Sequence, residues 1–199
     1  MQNKYWGESK PGEKKNAQAP ADKHIAVHEN KIYYYANVNR ASAAELNKKI
    51  GELESKSMTL SDNLGIDKPP LRLFINSGGG SITAGISSMD TILRTKVPVY
   101  TYVDGFAASA ATFLSVVGAH RYMSRNSYML IHQLSADFWG TYANFEDEKE
   151  NLDLMMARIK NIYKQYTKVP MKKIDQILKH DLMWDAETCL EYRLIDEVI

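Results

Sequence analysis

With one cysteine, Cys189, the chain cannot form an internal disulfide, and nothing in it calls for an oxidising compartment. Cys189 falls in the apolar stripe of the last expected helix, where a packed core thiol is the simplest reading. Long apolar runs are missing as well. No stretch approaches the roughly 18 residues of a membrane span, and residues 1–21 hold lysines, Gly7, Pro11, Gly12 and Pro20 but no apolar segment of the signal-peptide kind. An excess of charge of one sign is absent too. With 25 basic and 24 acidic side chains, a net +1, the composition gives no reason to expect a nucleic acid or an anionic membrane as partner. The five histidines and the cysteine show no zinc-ligand spacing, so no metal and no cofactor are expected.

What is present is an ordinary core-forming composition, 44% hydrophobic and 25% charged over 199 residues, enough for one domain plus a tail. Residues 1–22 read as a mobile arm, and 23–199 as the domain. There the chain alternates strand and helix. Residues 24–27 and 32–35 read as strands around Glu29-Asn30, Ser42 can cap a helix over 43–53, and 58–70 reads as a loop. Strand–turn–helix units follow at 71–85 and at 97–117. Residues 121–133 read as two strands around Arg125-Asn126. After a polar, aromatic loop, 146–166 reads as a long helix with Leu152, Met155, Met156, Ile159, Ile162, Tyr163 and Tyr166 at helical spacing.

Three segments carry chemistry. Ser109, in Gly105-Phe106-Ala107-Ala108-Ser109-Ala110-Ala111, stands at a strand-to-helix turn among side chains no larger than a methyl group. The N–H groups that open such a helix lack intrahelical partners and can stabilise an oxyanion beside the hydroxyl. Upstream, Asn76-Ser77-Gly78-Gly79-Gly80 forms a second turn of bare N–H groups. Such a turn can cradle phosphate, bind a carboxylate or supply an oxyanion hole, and glycine spacing alone does not choose. It lacks the P-loop lysine and the dinucleotide fingerprint, which disfavours a nucleotide, while a peptide backbone against Gly79 and Gly80 is plausible. His132 ends the apolar strand Met129-Leu130-Ile131, where it can serve as a general base near neutrality.

Together these segments resemble the proteolytic subunit of the ATP-dependent Clp protease, a serine peptidase family. The likeness runs from about Ile25 to Ile199. It rests on the glycine-rich turn with Ile82-Thr83-Ala84-Gly85, on the serine segment, on Met129-Leu130-Ile131-His132-Gln133, and on Asp181-Leu182-Met183-Trp184-Asp185-Ala186-Glu187 with the closing Glu191-Tyr192-Arg193-Leu194-Ile195-Asp196. The resemblance implies Ser109 as nucleophile, His132 as base and Asp181 as its orienting carboxylate, with oxyanion donors at the backbone of Gly80 and Ala110 and substrate contacts at Gly79, Gly80 and Gln133. Asp175 and Asp185 lie near Asp181, and spacing alone cannot choose among the three. The family register favours Asp181 and leaves Asp185 as a helix N-cap. The implied fold is an α/β arrangement of repeated β-β-α units, shared with the crotonase superfamily, with a protruding strand–helix handle. The implied assembly is a homo-oligomer of two stacked seven-membered rings in the cytoplasm, cutting peptides or unfolded proteins fed by an AAA+ unfoldase.

A crotonase-type acyl-CoA enzyme would use a similar pair of N–H groups but needs no serine with a histidine base. A non-catalytic subunit of a mixed ring would typically lose the serine or histidine kept here. A lysine-base peptidase of related fold is disfavoured by the absence of lysine between Lys96 and Lys149. The chain also departs from the family pattern. Gly78 and Leu134 stand where proline is common, and 135–140, with Phe138 and Trp139, replaces a glycine-rich stretch. Arg72 and Arg94 occupy docking-pocket positions that usually hold aromatics, although Phe74 is aromatic, so the unfoldase pocket is expected to be altered. The first 22 residues do not resemble the family's axial segment. His180 replaces an arginine that pairs across the ring interface.

Overall fold

The computed structural model describes residues 24–199, so the expected arm at 1–22 lies outside the described residues. Two short strands open the fold, β1 (Ile25–His28) and β2 (Lys31–Tyr34), paired antiparallel around Glu29, whose φ of 55° makes the tight turn. The first helix, α1 (Arg40–Leu64), is longer than the sequence suggests. Asn39, not Ser42, is its N-cap. The Asn39 side chain accepts the N–H groups of Ala41 and Ser42, and the Ser42 hydroxyl accepts the Asn39 N–H, a reciprocal capping box. The expected loop from residue 58 is helical as far as Leu64. Polar Ser55 and Thr59 do not break the helix because each hydroxyl donates to the carbonyl four residues back, and the stop comes only at Gly65 in the left-handed conformation, φ 63°.

Four further strands continue the sheet: β3 (Leu71–Ser77), β4 (Val99–Ala108), β5 (His120–Met123) and, at the chain's end, β8 (Glu197–Val198). Their order is β1-β2-β3-β4-β5-β8, with every neighbour after the first pair parallel. Along β3 burial alternates strictly. Leu71, Leu73, Ile75 and Ser77 are buried in the core with Leu46, Ile50 and Met89 from the helices. On the other face of the sheet, rings from four strands stack in a row, Tyr33 on Phe74 at 5.0 Å, Phe74 on Tyr102 at 4.5 Å and Tyr102 on Tyr122 at 4.6 Å. These cross-strand contacts stabilise the register as well as the surface.

Strand β4 decides where the functional turn lies. It runs five residues past the expected 97–103, because it changes partner partway: Tyr100–Val103 pair with β5, whereas Phe106–Ala108 pair with β6 (Tyr128–Leu130). Gly105, φ 91°, sits at the changeover, and the Ser127 hydroxyl accepts its N–H at 2.7 Å. Thus β5 and β6 are not a hairpin. Both lie parallel to β4, one beside each half.

The remaining helices are α2 (Ile82–Arg94), α3 (Ala111–Val116), α4 (Tyr142–Tyr166), α5 (Met171–Ile177) and α6 (Ala186–Glu191), with β7 (Met183–Trp184) between the last two. Helix α4 starts four residues before the expected 146, since Thr141 and Asn144 form a second capping box that draws Tyr142 and Phe145 into the helix. Only its last third is buried, through Ile159, Ile162 and Tyr163. Leu152, Met155 and Met156 of the apolar stripe are half-buried, and Leu154 is exposed. Residues 131–141, leading into α4, form no strand in the single chain. Among the described residues, no helix is long and apolar enough to cross a membrane.

Candidate active site

The site is built where β3, β4 and β6 end side by side. At the end of β3 the turn needs glycine for steric reasons. Gly79 (φ 87°) and Gly80 (φ 139°) have backbone conformations that L side chains rarely adopt. A Cβ on Gly79 would stand 2.7 Å from the Ser109 Cβ and 3.1 Å from the Ala110 nitrogen, and one on Gly80 would run into the Val38 carbonyl. Val38 holds the turn from the other side: its N–H donates to Gly79 O, and its carbonyl accepts the Ser81 N–H, both at 2.7 Å. Ser81 then caps α2 through the Ala84 N–H.

Ser109 follows β4 directly and has φ 53°, a left-handed conformation costing a non-glycine residue about 1–3 kcal/mol unless its surroundings hold it there. They do. Its N–H donates to Leu130 O at 2.8 Å, and its carbonyl accepts the Thr112 N–H at 3.0 Å and the Thr112 hydroxyl at 2.6 Å. Ala107, Ala108, Ala110 and Ala111 around it are buried. Among the described residues, the N–H groups of Gly80 and Ala110 have no hydrogen-bond partner, so two donors are unpaired on neighbouring turns, Gly80 exposed and Ala110 buried.

His132 comes two residues after Leu130, the strand residue that anchors Ser109. Its partner is set by the antiparallel pairing of β6 with β7, in which Leu130 faces Met183. Continued by two residues, that register puts His132 opposite Asp181, and the His132 Nδ1 lies 2.9 Å from the Asp181 Oδ1. The pair is partly open to solvent, with side-chain exposures of 27% and 58%. Main-chain anchoring continues at Gln133, whose N–H donates to Leu178 O at 2.8 Å and whose side chain is exposed. Among the described residues, no hydrogen bond joins the Ser109 hydroxyl to His132 in the single chain.

The two competing carboxylates are engaged elsewhere. Asp175 pairs with Lys160 at 2.7 Å. Asp185 caps α6 by accepting the Thr188 N–H at 2.9 Å, and hydrogen bonds from Thr188 hold its carboxyl below the usual range. Cys189 is fully buried, and burial pushes its thiol up to about 12, where it is inert as a nucleophile. The other histidines stand apart: His120 packs on Tyr122, with ring centroids 4.5 Å apart, and His180 is exposed beside Asp181. Among the described residues, no group of three or more metal-ligating side chains is gathered. Phe138 and Trp139 lie on the exposed segment before α4, with the Phe138 ring centroid 6.0 Å from that of Phe145. Two residues that sequence reasoning did not place at the site, Thr112 and Tyr163 of the apolar stripe, are tied to it. A threonine three residues beyond the serine could have been noticed, but nothing in the sequence marks Tyr163 as its partner.

An α/β sheet with a serine, a histidine–aspartate pair and two unpaired N–H groups at adjoining strand ends defines a class of hydrolase-like architecture. The chain belongs to the Clp protease family, whose model matches residues 15–199. It is similar to the ATP-dependent Clp protease proteolytic subunit 1 of Streptomyces avermitilis, with 37% identity over 131 residues, 65% of this chain and 60% of that protein. The match thus spans less than two thirds of that relative's length. Its fold is similar to that of a ClpP1 mutant from Listeria monocytogenes, with a TM-score of 0.71 and 25% identity, covering 83% of this chain and 88% of that one.

Proposed function

We propose that this chain is a Clp-type serine endopeptidase subunit that cuts peptides or unfolded polypeptides with Ser109, His132 and Asp181. The observation that carries the reading is the His132–Asp181 hydrogen bond, made beside a serine held in a left-handed turn. Ser109 Oγ attacks the scissile carbonyl while His132 Nε2 takes its proton. Asp181 keeps the other ring nitrogen protonated and the imidazole oriented. The tetrahedral oxyanion is received by the unpaired N–H groups of Gly80 and Ala110, a contribution of about 10²–10³ in rate per donor in comparable sites. The histidine then gives its proton to the leaving amine, and water hydrolyses the acyl-enzyme by the same base. The exposed backbone of Gly80, the adjoining Gly79 and Gln133 line the path for the substrate strand.

The rest of the reading follows from the family. Residues 23–199 act as one peptidase domain in the cytoplasm, within two stacked seven-membered rings whose sites face a closed chamber. An exposed apolar set at the start of α4 and just before it supports subunit contact, above all Trp139 at 99% exposure with Tyr142 and Phe145. An AAA+ unfoldase docks in surface pockets between subunits, which exposed Arg72 on β3 and exposed Arg94 at the end of α2 make more basic. Treatment with a fluorophosphonate or β-lactone probe tests the core of the proposal. The adduct is expected on Ser109, and an adduct on any other serine overturns the assignment.

A further inference from the structure

Two buried hydroxyls have no part in the reaction just described, yet lie against its nucleophile. Thr112 is 0% exposed and Tyr163 1%. The Thr112 Oγ1 is 2.6 Å from the Ser109 carbonyl oxygen and 2.6 Å from the Tyr163 hydroxyl. A threonine has one hydroxyl proton, and here it goes to the carbonyl. The phenol must therefore donate to Thr112. Burial pushes the Tyr163 hydroxyl well above its ordinary range, which keeps it protonated and able to donate. The chain of bonds has one direction, from Tyr163 on α4 through Thr112 on α3 to the carbonyl of Ser109.

That carbonyl is one end of a planar peptide unit whose other end is the N–H of Ala110. Fixing the oxygen fixes the direction in which the N–H points. We infer that Thr112 and Tyr163 are positioning residues, aiming the Ala110 N–H and holding Ser109 in its left-handed conformation, so that the buried end of α4 is wired to the nucleophile turn. The inference rests on Ser109 and Ala110 acting as proposed above. Helix α4 also carries the exposed Tyr142 and Phe145, so a subunit contact that shifts this helix has a direct hydrogen-bonded route to the site.

The test compares Thr112→Val, Tyr163→Phe, the double variant and Thr112→Ser. Values of kcat and KM on a short fluorogenic peptide and the rate of fluorophosphonate labelling are measured, with thermal unfolding and sedimentation alongside. Thr112→Val should lower kcat about 10–100-fold, less than complete loss of an oxyanion donor, with KM within about 2-fold. Tyr163→Phe should lower kcat about 3–10-fold, the worth of one hydrogen bond. The double variant should be no worse than Thr112→Val, because the phenol acts only through the threonine. Thr112→Ser should recover to within about 3-fold, since it keeps the hydroxyl. Losses that multiply in the double variant overturn the relay, as does a fall in melting temperature with kcat and labelling unchanged. Should Thr112→Val fail to fold, Tyr163→Phe decides alone on its kcat. Ser109→Ala separates the two levels. If it retains activity, the nucleophile reading falls and this inference with it; if it is inactive while Thr112→Val and Tyr163→Phe match the wild type, only the relay falls.

Discussion

Gly79 passes so close to Ser109 that a Cβ on the glycine would stand 2.7 Å from the Cβ of the serine. The two turns are packed backbone to backbone, which sets the N–H of Gly80 and the hydroxyl of Ser109 on adjoining turns. Gly79→Ala is therefore expected to abolish probe labelling and to destabilise the fold by more than the about 1–2 kcal/mol of a left-handed alanine. Gly51 is the contrast. It lies within α1 with open space where a Cβ would go, so Gly51→Ala should stabilise by about 0.5–1 kcal/mol without touching activity. Thermal unfolding of the two variants checks both signs.

The three candidate carboxylates have separate partners, and their amide variants should separate accordingly. Asp181→Asn should reduce kcat by about 10³–10⁴, because an amide favours the wrong imidazole tautomer. Asp175→Asn removes a surface ion pair with Lys160, and Asp185→Asn retains a capable N-cap, so each should stay within about 3-fold of wild type. Peptide hydrolysis measured on all three would reject the triad if Asp175→Asn or Asp185→Asn proved the most damaging. Ser109→Ala and His132→Ala should fall to similar residual rates, and their combination no lower, because such groups act as a unit.

Arg121 and Asp196 tie the chain's end to the sheet. The guanidinium Nε and Nη2 donate to the two carboxylate oxygens at 2.9 and 2.6 Å, and Nη1 donates to the carbonyls of Tyr166 and Arg193. Hydrogen bonding from Arg121 holds the Asp196 carboxyl below its ordinary range. A carboxyl depressed in the folded state adds stability that is present above its unfolded pKa, about 3.9, and is lost as pH falls through the lower folded value. Asp196→Asn should cost about 1–3 kcal/mol at neutral pH, a charge-assisted pair discounted for partial exposure. The gap from wild type should close below about pH 4. Denaturant unfolding across pH measures it, and a gap that persists in acid would contradict the pairing.

Trp139 is 99% exposed, an unusual state for a large apolar ring on a free subunit. At micromolar concentration the protein should sediment far above its chain mass of 22.6 kDa. Trp139→Ser should shift that distribution downward, and a wild-type species of one chain mass would count against the rings.

Much of this protein was legible from local chemistry. The β-branched and aromatic run before Ser109, the bare glycines after Asn76, the apolar approach to His132, the cap at Asp185 and the burial of Cys189 all depend on near neighbours in the chain. So did most strands, because alternation with a period of two is a local signal. Local signals misjudged the extents of α1, β4 and α4, where side-chain caps, back-bonded hydroxyls and a change of strand partner overrode composition. Which of three aspartates meets His132 was not a local question. The antiparallel register of Leu130 with Met183 chose Asp181, and packing committed Asp175 to Lys160 and Asp185 to a helix end. The anchoring of Ser109 by Leu130, the approach of Gly79 beneath it and the bond from Tyr163 to Thr112 depend on residues 21, 30 and 51 positions apart meeting in space. Sequence determined the chemical groups and the elements that carry them, because those follow from residue type and short-range periodicity. Tertiary structure alone decided their directions and partners, because these depend on strand register and on close packing between segments distant in the chain.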